Sequence, residues 1–380
     1  MKPLLLLLIG SGLAAETPVL PEVDRVVEKA IADHEVAGAV TLVSEGGKLV
    51  HLSALGHADL AGDRAMKADD LFWIASMTKP VTGAAVMMMQ DAGKLDVDDP
   101  VSKHLPEFKA LRDADGNPVS VTIADCLTHT CGLAELGGGE SARITTLAEL
   151  TERVAAKPVQ FAPRSKWQYC QTGINTAARV VEVASGQSFP EFLEQRLFKP
   201  LGMGDTSFYP TAARAERLAT SYSRSSEGVL EPAPLFFLHG KPVTSRERYP
   251  LANGGLFSTA RDYHRFGLML LNGGELDGTR YLSREAVRRM TSIQSGDLKT
   301  GFTPGNGWGL GCCVVREPQG VTGALSPGSF GHGGAYGTQA WIDPVEKRVF
   351  VLMVQRANFP NSDGSDLRRD FQDAAAKALE

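Results

Sequence analysis

Cysteine is scarce in this chain: five in 380 residues, at Cys126, Cys131, Cys170, Cys312 and Cys313. So few in so long a chain argues against a disulfide scaffold. An odd number also leaves at least one thiol outside any internal pair. Buried free thiols are the expectation, with Cys126 and Cys131 the pair nearest to a bridge. Basic runs, low-complexity tracts and internal repeats are missing, and the formal net charge is −5. That mild acidity excludes an electrostatically driven nucleic-acid partner. None of the eight histidines pairs at a zinc spacing, and there is no His-Glu-x-x-His or Cys-x-x-Cys. No metal or other cofactor is therefore expected. Gly137-Gly138-Gly139 lacks a following Lys-Ser or Lys-Thr and reads as a flexible loop, not a phosphate cradle. Asp113 to Asn117 lacks the later ligands of a calcium loop and reads as a surface turn. Gly-x-Ser-x-Gly does not occur, which argues against the nucleophile elbow of the α/β-hydrolases.

Beyond residue 15 no run is long and apolar enough to cross a bilayer. Residues 1–15 have a Lys2 start, an apolar stretch from Pro3 to Ile9 and small residues up to Ala15. That is a secretory leader pattern, expected to be cut after Ala14 or Ala15 and to place the protein in the periplasm or outside the cell. The remaining residues, 16–380, can bury a large core as one domain with two lobes. Val19 to His34 reads as an amphipathic helix. Ala37–Ser44 and Leu49–Leu55 read as strands joined at Gly46-Gly47. Gly309–Val315, Gln339–Ile342 and Arg348–Val354 read as further strands, with a closing helix over Asp366–Leu379. Strands at both ends with helices between them predict an α/β (α+β) fold. One antiparallel sheet, from 16–75 and 262–380, is flanked by the terminal helices. A mostly helical lobe, 76–261, is inserted.

What is present is Ser76-Met77-Thr78-Lys79, the only Ser followed by Lys at the third position. On a helix that spacing puts a hydroxyl and an amine on one face. A serine hydroxyl needs a neighbouring base to become a nucleophile, and Lys79 is placed to serve. Phe72-Trp73-Ile74-Ala75 reads as an apolar approach to it. The run after it reads as a buried helix, with Pro80 tolerated in the first turn and Met87-Met88-Met89 as core.

The stretch Ile74 to Asp99 resembles the serine β-lactamase and penicillin-recognising hydrolase superfamily, in its class C-like branch of β-lactamases, carboxylesterases and D,D-peptidases. Further similar segments follow in the family's order: 122–133, 166–175, 197–208, 253–266 and 331–338. The resemblance implies an active site between the lobes. It makes Tyr169 the third catalytic member beside Ser76 and Lys79. The family's Tyr-x-Asn is here Tyr169-Cys170-Gln171, so the substrate-amide contact passes to the longer Gln171. A free tyrosine costs about 4 kcal/mol to ionise at pH 7. Either Lys79 offsets that cost, or Lys79 is neutral and takes the proton while Tyr169 relays it. The family's Lys-Thr-Gly is matched by His332-Gly333-Gly334, which replaces a fixed cation with a mostly neutral group and removes a hydroxyl. The backbone N–H groups of Ser76 and Ala335 would form the oxyanion hole. His129 reads as structural.

These departures weaken the grip on an anionic β-lactam. The expected activity is therefore a serine hydrolase working through an acyl-enzyme, a carboxylesterase on small esters. The alternatives are a class C-like β-lactamase, a D-amino acid peptidase or amidase, and a non-catalytic penicillin-binding sensor domain. The expected partner is a small ester or amide, with no nucleic acid and no membrane after leader removal. Segment 223–249 is expected to line the cleft mouth.

Overall fold

The computed structural model describes residues 17–301 and 303–380; the leader reading of residues 1–15 lies outside them. An eight-stranded antiparallel sheet organises the chain. Its strands are β1 (Gly38–Glu45), β2 (Lys48–Asp59), β3 (Arg64–Ala65), β4 (Asn306–Trp308), β5 (Cys313–Val315), β6 (Phe330–Gly333), β7 (Gln339–Asp343) and β8 (Arg348–Met353). The order is β4-β5-β6-β7-β8-β1-β2-β3. The β1–β8 ladder, from Val40 opposite Met353 to Glu45 opposite Arg348, welds the two chain ends into one sheet. Gly46 (φ 55°) and Gly47 (φ 80°) supply the left-handed pair that a tight β1–β2 hairpin requires.

Both faces of the sheet are covered, so its central strands are apolar throughout instead of alternating with polar residues. Val349, Val351 and Met353 face the larger core; Phe350, Leu352 and Val354 face the terminal helices. Those helices are α1 (Pro21–Ala32) and α8 (Asp366–Ala378), seated through Val23, Val27, Phe371 and Ala375. The opposite face carries α6 (Ala260–Leu271) and the inserted lobe, with α2 (Thr78–Asp91), α3 (Ile123–Leu127), α4 (Leu147–Ala155) and α5 (Gln171–Ser185). The next helix in the chain, α7 (Arg284–Thr291), packs on α2.

Two local expectations change. Gly309–Val315 is not one strand. β4 ends at Trp308 and β5 begins at Cys313, because the turn between them spends its amides on helices: Leu310 N–H donates to Met290 O and Gly311 N–H to Leu127 O. Gly138–Ser141 forms a helical turn where a flexible loop is expected. All five cysteines are buried and free; the Cys131 thiol interacts with that of Cys126, as expected, and also lies 3.9 Å, sulfur to sulfur, from Cys170. Asp113 makes the expected surface turn, its carboxylate accepting from the Asp115 and Asn117 amides.

Candidate active site

From Asp70 to Met89 every residue is buried except Ser76. Ser76 sits in a 3-10 turn, Ala75–Met77, that runs directly into α2. The turn is held open by Ala75 at φ 45°, a left-handed conformation that costs a non-glycine residue on the order of 1 kcal/mol. Surrounding bonds enforce it. Thr78 Oγ1 donates to Ala75 O, Tyr263 OH to Met77 O and Trp73 Nε1 to Gly254 O, each at 2.7 or 2.8 Å.

Lys79 lies one turn on, with no exposed surface. Its Nζ is 3.0 Å from Ser76 Oγ and donates to Asn253 O at 2.7 Å. Burial disfavours the ammonium and pulls its pKa from 10.5 down to about 7, against the pull of the Glu135 and Asp363 carboxylates. Tyr169 comes from the loop before α5, and its hydroxyl is 2.9 Å from Ser76 Oγ. Burial pushes that phenol well above its ordinary range, so it stays protonated. Of the two proton routes left open by the sequence, these shifts favour a neutral lysine over an ionised tyrosine.

His332, on β6, is buried, with Nε2 3.5 Å from the Tyr169 hydroxyl. Burial and the Lys79 charge lower it to about 3, so it is neutral at physiological pH. Its Nδ1 lies 2.6 Å from Gly333 O, which fixes Nδ1 as the donor and turns a lone pair toward Tyr169. Gly334 packs so tightly that a Cβ would lie 2.7 Å from Ile74 O. Ala335 follows, exposed, beside the nucleophile turn. Gln171 has its side-chain carbonyl engaged within the protein. Its Oε1 accepts from Asn253 Nδ2, whose own Oδ1 accepts from Asn175 Nδ2, both at 2.9 Å.

Ser76, Lys79, Tyr169 and His332 therefore converge as the motif order implies, with Gly333, Gly334 and Ala335 along one strand end. A sequence model of the beta-lactamase family matches residues 23–375. The chain belongs to that family. It is a serine hydrolase, similar to esterase EstB of Burkholderia gladioli at 31% identity over 88% of this chain and 90% of that protein. Penicillin-binding protein 4 of Amycolatopsis lactamdurans is 34% identical over 81% and 77% of the two chains. Among solved structures, EstCE1, described as a hydrolase with promiscuous acyltransferase activity, has the same fold: TM-score 0.79, 24% identity, 94% and 98% covered.

Three further residues around this site, Asn253, Glu135 and Asp363, had no role assigned from sequence, and a fourth, His129, was read only as structural. Asn253 lies in a family-like segment, but only folding shows its carbonyl holding Lys79. Glu135 accepts the Gln171 and Thr172 amides at the start of α5, where the helix dipole favours an anion. His129 (φ 61°) takes the Cys170 N–H on Nδ1 at 3.0 Å and packs its ring 4.5 Å from that of Tyr169. Asp363 stands beside Gly333, and no local motif marks it: the two are 30 positions apart and meet only in the fold.

Proposed function

We propose that this protein is a carboxylesterase that cleaves small esters through an acyl-enzyme on Ser76. The observation that carries the reading is the pair of distances at Ser76 Oγ, 3.0 Å to Lys79 Nζ and 2.9 Å to the Tyr169 hydroxyl. A neutral Lys79 takes the Ser76 proton as Oγ adds to the ester carbonyl. The Ser76 and Ala335 N–H groups receive the oxyanion. The proton then passes from Lys79 through Tyr169 to the departing alkoxide. Water next adds to the acyl-serine and gives its proton to Lys79. Collapse returns that proton to Ser76 Oγ and frees the acid.

An ester is favoured over a β-lactam because neutral His332 stands where the family's fixed cation holds the lactam carboxylate. The esterase named among the relatives supports this. The penicillin-binding relative supports the second reading, a β-lactam or D-amino acid peptide substrate. A p-nitrophenyl ester of a short acid and a chromogenic cephalosporin separate the two. The intact protein should turn over the ester, and Ser76→Ala should lose at least about a thousandfold of that rate. Full ester turnover in Ser76→Ala would end the assignment. Dominant cephalosporin turnover would move it to a β-lactamase, and stable trapping of a penicillin without turnover would move it to a sensor.

A further inference from the structure

Gly333 leaves room on β6, and the structure fills that room with a carboxylate. An ideal Cβ on residue 333 would lie 1.9 Å from Asp363 Oδ1 and 2.4 Å from Gln339 Nε2. A side chain at 333 and Asp363 as it stands exclude one another. The Gly333 N–H and the Gln339 amide both donate to the carboxylate, and Gln339 is steadied in turn by bonds to Ser362 O and Trp341 Nε1. Arg368 is fully buried behind it, its guanidinium 4.1 Å above the Trp341 ring. That guanidinium donates to the Asp363 backbone carbonyl, which leaves the carboxylate without a bidentate partner. Asp363 is half-buried, and that burial raises its carboxyl pKa from the ordinary value, against the pull of Arg368, of Lys79 and of these hydrogen bonds.

Strand geometry sets where this charge acts. His332 points from one face of β6 toward Tyr169, the group that protonates the leaving group. Gly333 presents the other face, and the strand then runs past Ile74 to Ala335. Across the strand, Asp363 still acts electrostatically on both Tyr169 and Lys79, so a leaving group that takes its proton from Tyr169 lies within reach of its charge.

We propose that Asp363 selects substrates by the charge of their leaving group, turning away carboxylate-bearing ones and favouring neutral or cationic ones. This rests on the esterase reading and deepens it. A penicillin carries its carboxylate on the carbon next to the departing nitrogen, so it presents the rejected charge within that reach. An aminoalkyl or quaternary ammonium alcohol presents the favoured one.

The test uses three acetates that form the same acetyl-enzyme: phenyl acetate, 3-acetoxybenzoate and 3-(trimethylammonio)phenyl acetate. Their kcat/KM values are compared between the intact protein and Asp363→Asn, so that intrinsic differences in leaving ability cancel. Asp363→Asn should lower the cationic-to-anionic ratio severalfold, as loss of one partly buried charge within electrostatic reach of the leaving group implies. In the intact protein the same ratio should shrink as salt rises from about 0.02 to 0.5 M. A variant that still cleaves phenyl acetate with an unchanged ratio overturns the proposal. If Asp363→Asn fails to fold, Asp363→Ser and the salt series decide, and a salt-independent ratio overturns it equally. Phenyl acetate cleavage that survives Ser76→Ala would instead sink the esterase reading, so the two failures are distinguishable.

Discussion

At the scale of the residue, the decisive quantity is the protonation of Lys79. Its pKa of about 7 lies below that of the unfolded chain, near 10.4. Two consequences share that sign. If neutral Lys79 is the base, kcat/KM for a neutral ester rises with pH through about 7 and then levels, because Tyr169 keeps its proton well above the ordinary phenol range. A profile that falls through pH 7 would assign the work to the ammonium. The depressed value also costs stability. The cost is fully present below about pH 7, shrinks between 7 and 10 as the unfolded lysine loses its charge, and vanishes above that. Lys79→Met should therefore abolish ester turnover yet raise stability at pH 7 by about 2 kcal/mol, after allowing for the lost bonds to Ser76 and Asn253. Urea unfolding at pH 7 and pH 10 should show the gain at the first and little at the second. The motif was legible in the tetrapeptide. The proton state was not, because it comes from burial by residues far away in the chain.

At the scale of the element, the site depends on how closely α2 is approached. A Cβ on Gly83 would lie 2.2 Å from Leu310 O, and one on Gly311 (φ 87°) 2.7 Å from Lys79 O. The 309–312 turn thus rests against the helix that carries Lys79. Gly83→Ala must push the two apart, and overpacking against rigid backbone should cost about 2–4 kcal/mol. Thermal unfolding would read that loss. A Tm within a degree of the parent would mean that the turn yields freely. The same contact explains why one apolar run was misread as a strand. Composition and spacing in Gly309–Val315 satisfy a strand, but a turn is what lets its amides reach α3 and α7. β1, β2, β7, β8 and the terminal helices were legible, because their periodicity and their Gly-Gly or Asp-Pro boundaries are local; β3, β4 and β6, each two to four residues long, carry too little periodicity to be read as strands.

At the scale of the whole molecule, the sheet and the inserted lobe meet around Ser76, and burial extends well beyond the site. All five thiols lie inside this interior, three of them in the core beneath α5 and two where β5 begins. A thiol reagent such as Ellman's should modify none of them in the native protein and five after urea denaturation. Fast modification of any one in the native state would show that its lobe opens locally. The odd cysteine count foretold unpaired thiols. It could not foretell that Cys131 would lie against Cys170, because Cys170 is brought there by the start of α5.

The sequence by itself determined the nucleophile turn, the buried helix after it, the Tyr169 segment and a sheet drawn from both chain ends. Each is written in short-range spacing or in segment order. Only the tertiary structure decided that Lys79 is fully buried, that Asn253 holds it and that Asp363 fills the space beside Gly333. Desolvation and charge act through space, and the groups responsible are separated along the chain by tens to more than a hundred residues.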